Sequence, residues 1–304
     1  MNKERLAVEV AGIRMATPIM GASGTFGFGM EYEDFLDLAD VGAVVSKGIT
    51  PKPRAGNGGV RIAETPAGML NSIGLENPGI EAFCRDILPE AAKLPTAFIV
   101  NISAGTAEEY GEMARMLDVA GVDGIEVNIS CPNVKEGGIV FGTDPEQAAR
   151  VTREVKKHTK KPVIVKLSPN VTDITQMARA VEAAGADAVA LINTLTGMVI
   201  DVEKRCPLLG NITGGLSGPA VKPIALRMVY QAAKAVEIPV IGMGGIQTGE
   251  DVAAFLLAGA SAVEIGAENF ANPRAVVEAA EGLDAYLERQ GIEHASELTG
   301  ALEL

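Results

Sequence analysis

Short apolar runs recur along the chain, each β-branched at its middle and closed by Gly, Ser, Asn or Pro. They are Pro18–Ala22, Gly42–Gly48, Ala97–Ser103, Gly124–Cys131, Val163–Pro169, Ala188–Thr194, Val240–Gly245 and Ala262–Ala267. Unbroken apolar character over so few residues predicts strands buried on both faces, as in a parallel sheet. Between the runs the period becomes helical. In Ala107–Ala120, for example, Tyr110, Met113, Ala114 and Leu117 fall on one face. Thr172–Ala184 opens on Thr172 and Asp173 and stops at Gly185, and Asp251–Ala258 stops at Gly259. Three helices run out through similar phrases, AGVDG at 120–124, AGADA at 184–188 and AGASA at 258–262. A capping glycine, a polar turn residue and a small residue thus lead into the next strand each time. One turn used repeatedly predicts a repeated βα unit.

Eight such units predict an α/β protein folded as one (β/α)8 barrel over residues 1–304. A doubly wound sheet is the alternative, but the chain has no GxGxxG. Ahead of the first strand, Leu6–Val10 and Ile13–Ala16 flank Gly12 and predict a hairpin that plugs the N-terminal mouth. Two connections, Thr50–Pro78 and Leu195–Pro219, exceed simple loops. On a barrel they belong to the active-site face, as lids or interfaces.

Composition narrows the function classes. The chain has 304 residues, 47% hydrophobic and 21% charged, which is globular rather than disordered. A net charge of −13 argues against nucleic acid as a partner. The densest basic stretch, Lys156, Lys157, His158, Lys160 and Lys161, reads as a solvated turn complementing a helix C-terminus. No apolar run approaches the roughly 18 residues of a membrane span, and MNKERLAVEV lacks the core of a signal peptide. Three separated cysteines, Cys84, Cys131 and Cys206, form no CxxC and suit a reducing cytoplasm. They offer no iron–sulfur cradle within this chain.

Barrel enzymes work at the C-terminal ends of their strands. Here those ends carry Ala22, Ser23, Lys47, Asn101, Asn128, Cys131, Lys166, Asn193, Gly244 and Gly266. Lysines and asparagines aimed inward suit a hydrogen-bonding, neutral-to-anionic ligand. Cys131 sits among Asn128, Ser130 and Asn133, ahead of a loop with Gly137, Gly138 and Gly142 that could open and close. Its thiol becomes a base or nucleophile only where cations or donors stabilise the thiolate. Cys84, on a helix, reads as a small hydrophobe, and Cys206 has no evident role. The turns 242–245 and 265–267 offer backbone N–H groups to a phosphate. Gly21, Gly24, Gly27 and Gly29 allow close approach to a flat cofactor, or simply a flexible loop. GxSxG, HExxH, Walker A and EF-hand patterns are all missing, and no metal site is expected; neither His158 nor His294 lies at a strand end.

Lys47 in VSKGIT, Asn71 in GMLNSIGLENPG, VNISCPN at 127–133, Lys166 in VKLSPN, Asn193–Thr194 in INT and GMGGI at 242–246 together resemble dihydroorotate dehydrogenase. The resemblance covers nearly the whole chain. It implies an FMN-containing barrel that oxidises dihydroorotate to orotate in pyrimidine (UMP) synthesis. Cys131 would take the C5 proton and the C6 hydride would go to the flavin N5. Substrate would be held by Lys47, Asn71, Ser72, Ile73, Gly74, Leu75, Asn128, Asn193 and Thr194. FMN would contact Ser23, Lys47, Gly48, Asn101, Asn128, Lys166, Ile192, Gly218, Gly244, Gly245, Gly266 and Ala267.

Without the N-terminal apolar extension and serine base of the membrane-associated class, the chain resembles the cysteine-base enzymes. Within those, its first and second loops are closer to the NAD-linked, heteromeric type than to the fumarate-linked homodimer. That type implies a homodimer core bound to two partner subunits carrying FAD and a 2Fe–2S cluster, which pass electrons to NAD+. The rival readings are the FMN barrel of a dihydropyrimidine dehydrogenase and, from a different class, a Schiff-base aldolase using Lys166.

Overall fold

The computed structural model describes residues 1–130 and 138–304. After a short helix, Lys3–Leu6, come the hairpin strands β1 (Val8–Val10) and β2 (Ile13–Met15). Next are β3 (Ile19–Gly21), β4 (Ala43–Val45), β5 (Ile62–Thr65) and β6 (Gly68–Asn71). The chain continues through β7 (Ala97–Ile102), β8 (Gly124–Asn128), β9 (Val163–Lys166) and β10 (Ala188–Leu191). The remaining strands are β11 (Leu195–Gly197), β12 (Ile200–Asp201), β13 (Cys206–Pro207), β14 (Gly214–Ser217), β15 (Val240–Met243) and β16 (Ala262–Ile265).

Eight of these strands, in the order β10-β15-β16-β3-β4-β7-β8-β9, close a parallel barrel. They are the eight apolar runs. Each strand lies within its run and ends at or just before the polar residues that close it, so those residues sit at the mouth.

Strand alternation sorts the side chains. Val44, Val100, Val127, Val165, Val189 and Val263 point outward into the layer shared with the helices. Met20, Val45, Ile99, Ile164, Ala190 and Ile241 point inward. Val10, Ile13 and Met15 of the hairpin join that inner cluster, so the hairpin does close the N-terminal end. Helices Ala107–Met116, Ile174–Ala183 and Gly249–Leu257 occupy the predicted segments. Gly121, Gly185 and Gly259, in the repeated phrase, all have positive φ (86°, 98° and 113°). At Gly185 and Gly259, each next to a helix C-cap, this left-handed geometry ends the helix at no steric cost, whereas the first helix already stops at Met116 and Gly121 turns the chain separately ahead of β8. The basic stretch closes helix Pro145–His158, where Lys156 pairs with Asp187 at 2.7 Å.

The two long connections are not loops. β5 and β6 from one, β11 and β14 from the other, form a four-stranded antiparallel sheet in the order β11-β14-β6-β5. The register joins Asn71 to Gly215. A small core of Ala63, Leu70 and Leu209 supports the sheet. Gly138–Thr143 is a short helix rather than an open loop. A Cβ on Gly142 would stand 2.6 Å from the Ile129 carbonyl oxygen, so this glycine serves close packing.

Candidate active site

A cavity of about 390 Å³ opens where the barrel's C-terminal mouth meets the four-stranded sheet. It falls within the roughly 300–1,000 Å³ usual for small-molecule sites. Lys166 and Asn128 reach it from β9 and β8, and Lys47 and Gly48 from beyond β4. Ile192, Asn193 and Thr194 follow β10, Gly218 follows β14, and Gly244 and Gly245 follow β15. Ser23 follows β3, while Gly266 and Ala267 follow β16. Asn71, Ile73, Gly74 and Leu75 close the opposite side from the end of β6 onward. The structure therefore brings most of the sequence-predicted residues together around one space.

Ser72 and Asn101 do not line it. Ser72 is fully buried; its Oγ accepts from Asn57 Nδ2 at 3.1 Å, and its N–H donates to the Arg61 carbonyl at 2.7 Å. It ties the β6 end to the 54–61 segment. Asn101 is also fully buried and donates from Nδ2 to Glu126 Oε1 at 2.5 Å. Cys131 lies outside the described residues, as do Pro132, Asn133 and Gly137 of the predicted loop.

The glycine string after β3 divides. Gly24 lines the cavity, and a Cβ there would meet nothing within 4 Å. A Cβ on Gly21 would strike the Phe26 ring at 2.4 Å, and one on Gly29 would strike Leu94 at 2.8 Å. Those glycines are needed for packing beneath the loop, where Phe26 stacks on Tyr32.

The amides are held in a linked set. Asn193 Nδ2 donates to Ser130 Oγ at 2.5 Å, and Ser130 Oγ donates to Asn128 Oδ1 at 3.0 Å. The Thr194 N–H donates to Asn193 Oδ1 at 2.7 Å. Asn71 Nδ2 donates to the Gly215 carbonyl at 3.4 Å, which couples it to the sheet register. Such anchoring fixes each amide's orientation before any ligand arrives.

Two ammonium groups set the electrostatics. Lys47 makes no ion pair among the described residues; the Arg61 hydrogen bond and charge, and after them the charge of Lys47, hold the Glu76 carboxyl below the usual range. Lys166 is different, because it is buried between Glu126 Oε1 at 3.5 Å and Glu264 Oε2 at 3.4 Å. Burial pulls its ammonium pKa down, but the two carboxyls outweigh burial and the net shift is upward. Burial, and next the charge of Glu126, pushes the Glu264 carboxyl well above the usual range.

Glu126 and Glu264 were not foreseen from the sequence. The signal was present, as a lone acidic residue inside each of the apolar runs GIEVNIS and AVEIGA. A carboxylate inside a doubly buried strand is rare enough to demand a partner. The sheet residues Ile62, Met69 and Ser217, which also line the cavity, gave no comparable signal.

The model of the family described as dihydroorotate dehydrogenase matches residues 5–287. The chain belongs to the dihydroorotate dehydrogenase family. It is 59% identical over 305 residues, covering all of both chains, to a protein of Geobacter sp. (strain M21) named dihydroorotate dehydrogenase B (NAD(+)), catalytic subunit. Relatives of the same name are 54% identical in Alkaliphilus oremlandii, covering 99% of this chain and 100% of the relative, and 54% identical in Thermoanaerobacter pseudethanolicus, covering 98% and 99%. Among the described residues, no helix is long and apolar enough to cross a membrane.

Proposed function

We propose that this chain is the catalytic subunit of an NAD-linked dihydroorotate dehydrogenase, oxidising dihydroorotate to orotate in pyrimidine synthesis. The observation that carries the reading is the cavity itself, with Lys47, Lys166, Asn71, Asn128 and Asn193 lining one space. The substrate is an anion approaching a chain of net charge −13, so a local cation must overcome the wider field. Lys47 supplies it, and the amides pair with the donors and acceptors of the pyrimidine ring.

The residues also fit FMN. Gly244 and Gly245 line the cavity at φ 126° and 74°, which leaves bare backbone facing it. The buried Asn101 Oδ1 has no partner and would lie 2.9 Å from a Cβ on cavity-lining Gly48. A flat group bearing N–H donors and a phosphate matches that combination of open backbone and charge. Gly218, Gly244, Gly245, Gly266 and Ala267 would hold its phosphate end, and Lys166 and Asn128 its ring. When bound, FMN supplies the hydride acceptor. The chain's own contribution is to bind the substrate's carboxylate at Lys47, orient its ring on the amides and remove the C5 proton. Cys131, three residues beyond Asn128, is the base in this reading.

The relatives' name, catalytic subunit, supports a partner that carries electrons onward to NAD+, and FAD and a 2Fe–2S cluster belong to that partner here. A homodimer core in the cytoplasm completes the proposal. The purified chain is expected to be yellow and to bleach on anaerobic addition of dihydroorotate; a colourless protein that binds no FMN would sink the reading. Cys131→Ala is expected to keep FMN and slow that bleaching about 10²–10⁴-fold, as loss of a general base does. Stopped-flow absorbance measures it, and equal rates in the two proteins remove the cysteine from the mechanism.

A further inference from the structure

Asn101, Glu126, Lys166 and Glu264 face one another inside the barrel from β7, β8, β9 and β16. Each is at most 5% exposed. Two carboxyls beside a single ammonium cannot all be charged in such a place without leaving one negative charge unpaired. The hydrogen bonding shows which atoms lack partners. Glu126 Oε1 accepts from both Asn101 Nδ2 and Lys166 Nζ, and Glu264 Oε2 accepts from Lys166 Nζ. Glu126 Oε2 and Glu264 Oε1 have none among the described residues, and both carboxyls flank the same ammonium, at 3.5 and 3.4 Å. A single proton held between the two carboxyls leaves the cluster neutral and gives the orphan oxygens a shared partner.

We propose that Glu126 and Glu264 share one proton and act as positioning residues, holding Lys166 as a fixed ammonium in a cluster of zero net charge. Glu264 carries the proton, because Glu126 already accepts two N–H donors that favour its charged form. Among the described residues, the charged groups facing Glu264 are only Glu126 and Lys166; the surrounding Met20, Val45, Ile99, Ala190, Ile241 and Met243 carry none. The cluster presents Lys166 to whatever lies in the cavity without requiring that ligand to neutralise a buried charge first. What this does to a bound flavin rests on the proposed function; the proton assignment does not.

The test uses the full-length chain at neutral pH. Infrared spectra of protein labelled with ¹³C-glutamate should show the carbonyl stretch of a buried protonated carboxyl, and Glu264→Gln should remove it. Glutamine places a carbonyl towards Lys166 and an N–H towards Glu126, so this variant should unfold at or above the wild-type temperature. The pH dependence has a definite sign. Glu264 has a folded pKa above its ordinary 4.5, so its contribution is complete below 4.5 and fades as pH rises towards the folded value. The advantage of Glu264→Gln should therefore widen with increasing pH.

Glu126→Gln should also remove the band, by passing the charge to Glu264. The double variant strands the ammonium and should lower the unfolding midpoint by roughly 5–10 °C. The proposal is overturned if the band survives in Glu264→Gln, or if that variant loses as much stability as the double variant. These readouts come from the chain's own carboxyls, so a flavin-free, colourless protein would defeat the functional reading and leave this one standing.

Discussion

The two ends of the barrel interior are built from the same strands and differ completely in chemistry. Towards the hairpin the inward positions are Met20, Ile99, Ile164 and Ala262, sealed by Val10, Ile13 and Met15. Two residues further along β7, β9 and β16, the inward positions become Asn101, Lys166 and Glu264. One end is hydrocarbon closed by hydrocarbon. The other is a charged layer beneath a cavity, tolerable only because each ion has a partner. The alternation that stabilises the scaffold thus also delivers polar groups to the mouth, and a shift of two residues separates packing from chemistry.

The sharpest way to break that comparison is to exchange the chemistries. Ile241→Asp puts a carboxyl on β15 among hydrocarbon neighbours, while its strand neighbour two residues on, Met243, is in register with Glu264. Burying a polar group without partners costs several kcal/mol, comparable with the roughly 5–15 kcal/mol of total stability. The expected outcome is loss of soluble, folded protein, read by expression and circular dichroism. A variant folded with the wild-type midpoint would mean that the hairpin end is wetter than its packing implies.

A second exchange should touch binding and leave the fold alone. Lys47 stands at the cavity and makes no ion pair among the described residues. Lys47→Ala removes a charge-assisted hydrogen bond worth about 1.5–3 kcal/mol to an anionic ligand. Orotate affinity should fall about 10–100-fold by titration, while stability changes by no more than about 0.5 kcal/mol. Unchanged orotate affinity would remove Lys47 from substrate binding.

The same division explains what the sequence disclosed. Strands buried on both faces announce themselves as apolar runs, so all eight barrel strands were legible, as was the hairpin with its Gly12 turn. Polar residues closing those runs were legible as candidate site residues for the same reason. The four-stranded sheet was not. Its strands are three to four residues of mixed polarity, three of them containing glycine, and they pair Asn71 with Gly215 across 144 positions of sequence. No local period records a contact of that range. Ser72 and Asn101 illustrate a different limit. A motif position says that a residue is near the site, but only coordinates show that the Ser72 side chain is held by Asn57 and the Asn101 Nδ2 by Glu126, with neither residue lining the cavity.

The smallest expected effect separates standing at the mouth from belonging to the site. Thr106 follows β7 on the same end of the barrel as the cavity, yet it does not line it. Its Oγ accepts the Glu109 N–H at 3.1 Å, and Glu109 Oε2 accepts the Thr106 N–H at 3.2 Å, a reciprocal cap on helix Ala107–Met116. Thr106→Ala deletes one half of that exchange and should cost about 1 kcal/mol. The unfolding midpoint should drop by about 2–4 °C in a thermal scan, with orotate affinity unchanged. A cap satisfies N–H groups that its own helix leaves open, and it does so locally whatever the ligand does. If affinity falls tenfold instead, the helix ends around the mouth are coupled to the cavity, and the boundary between scaffold and site must be drawn further out.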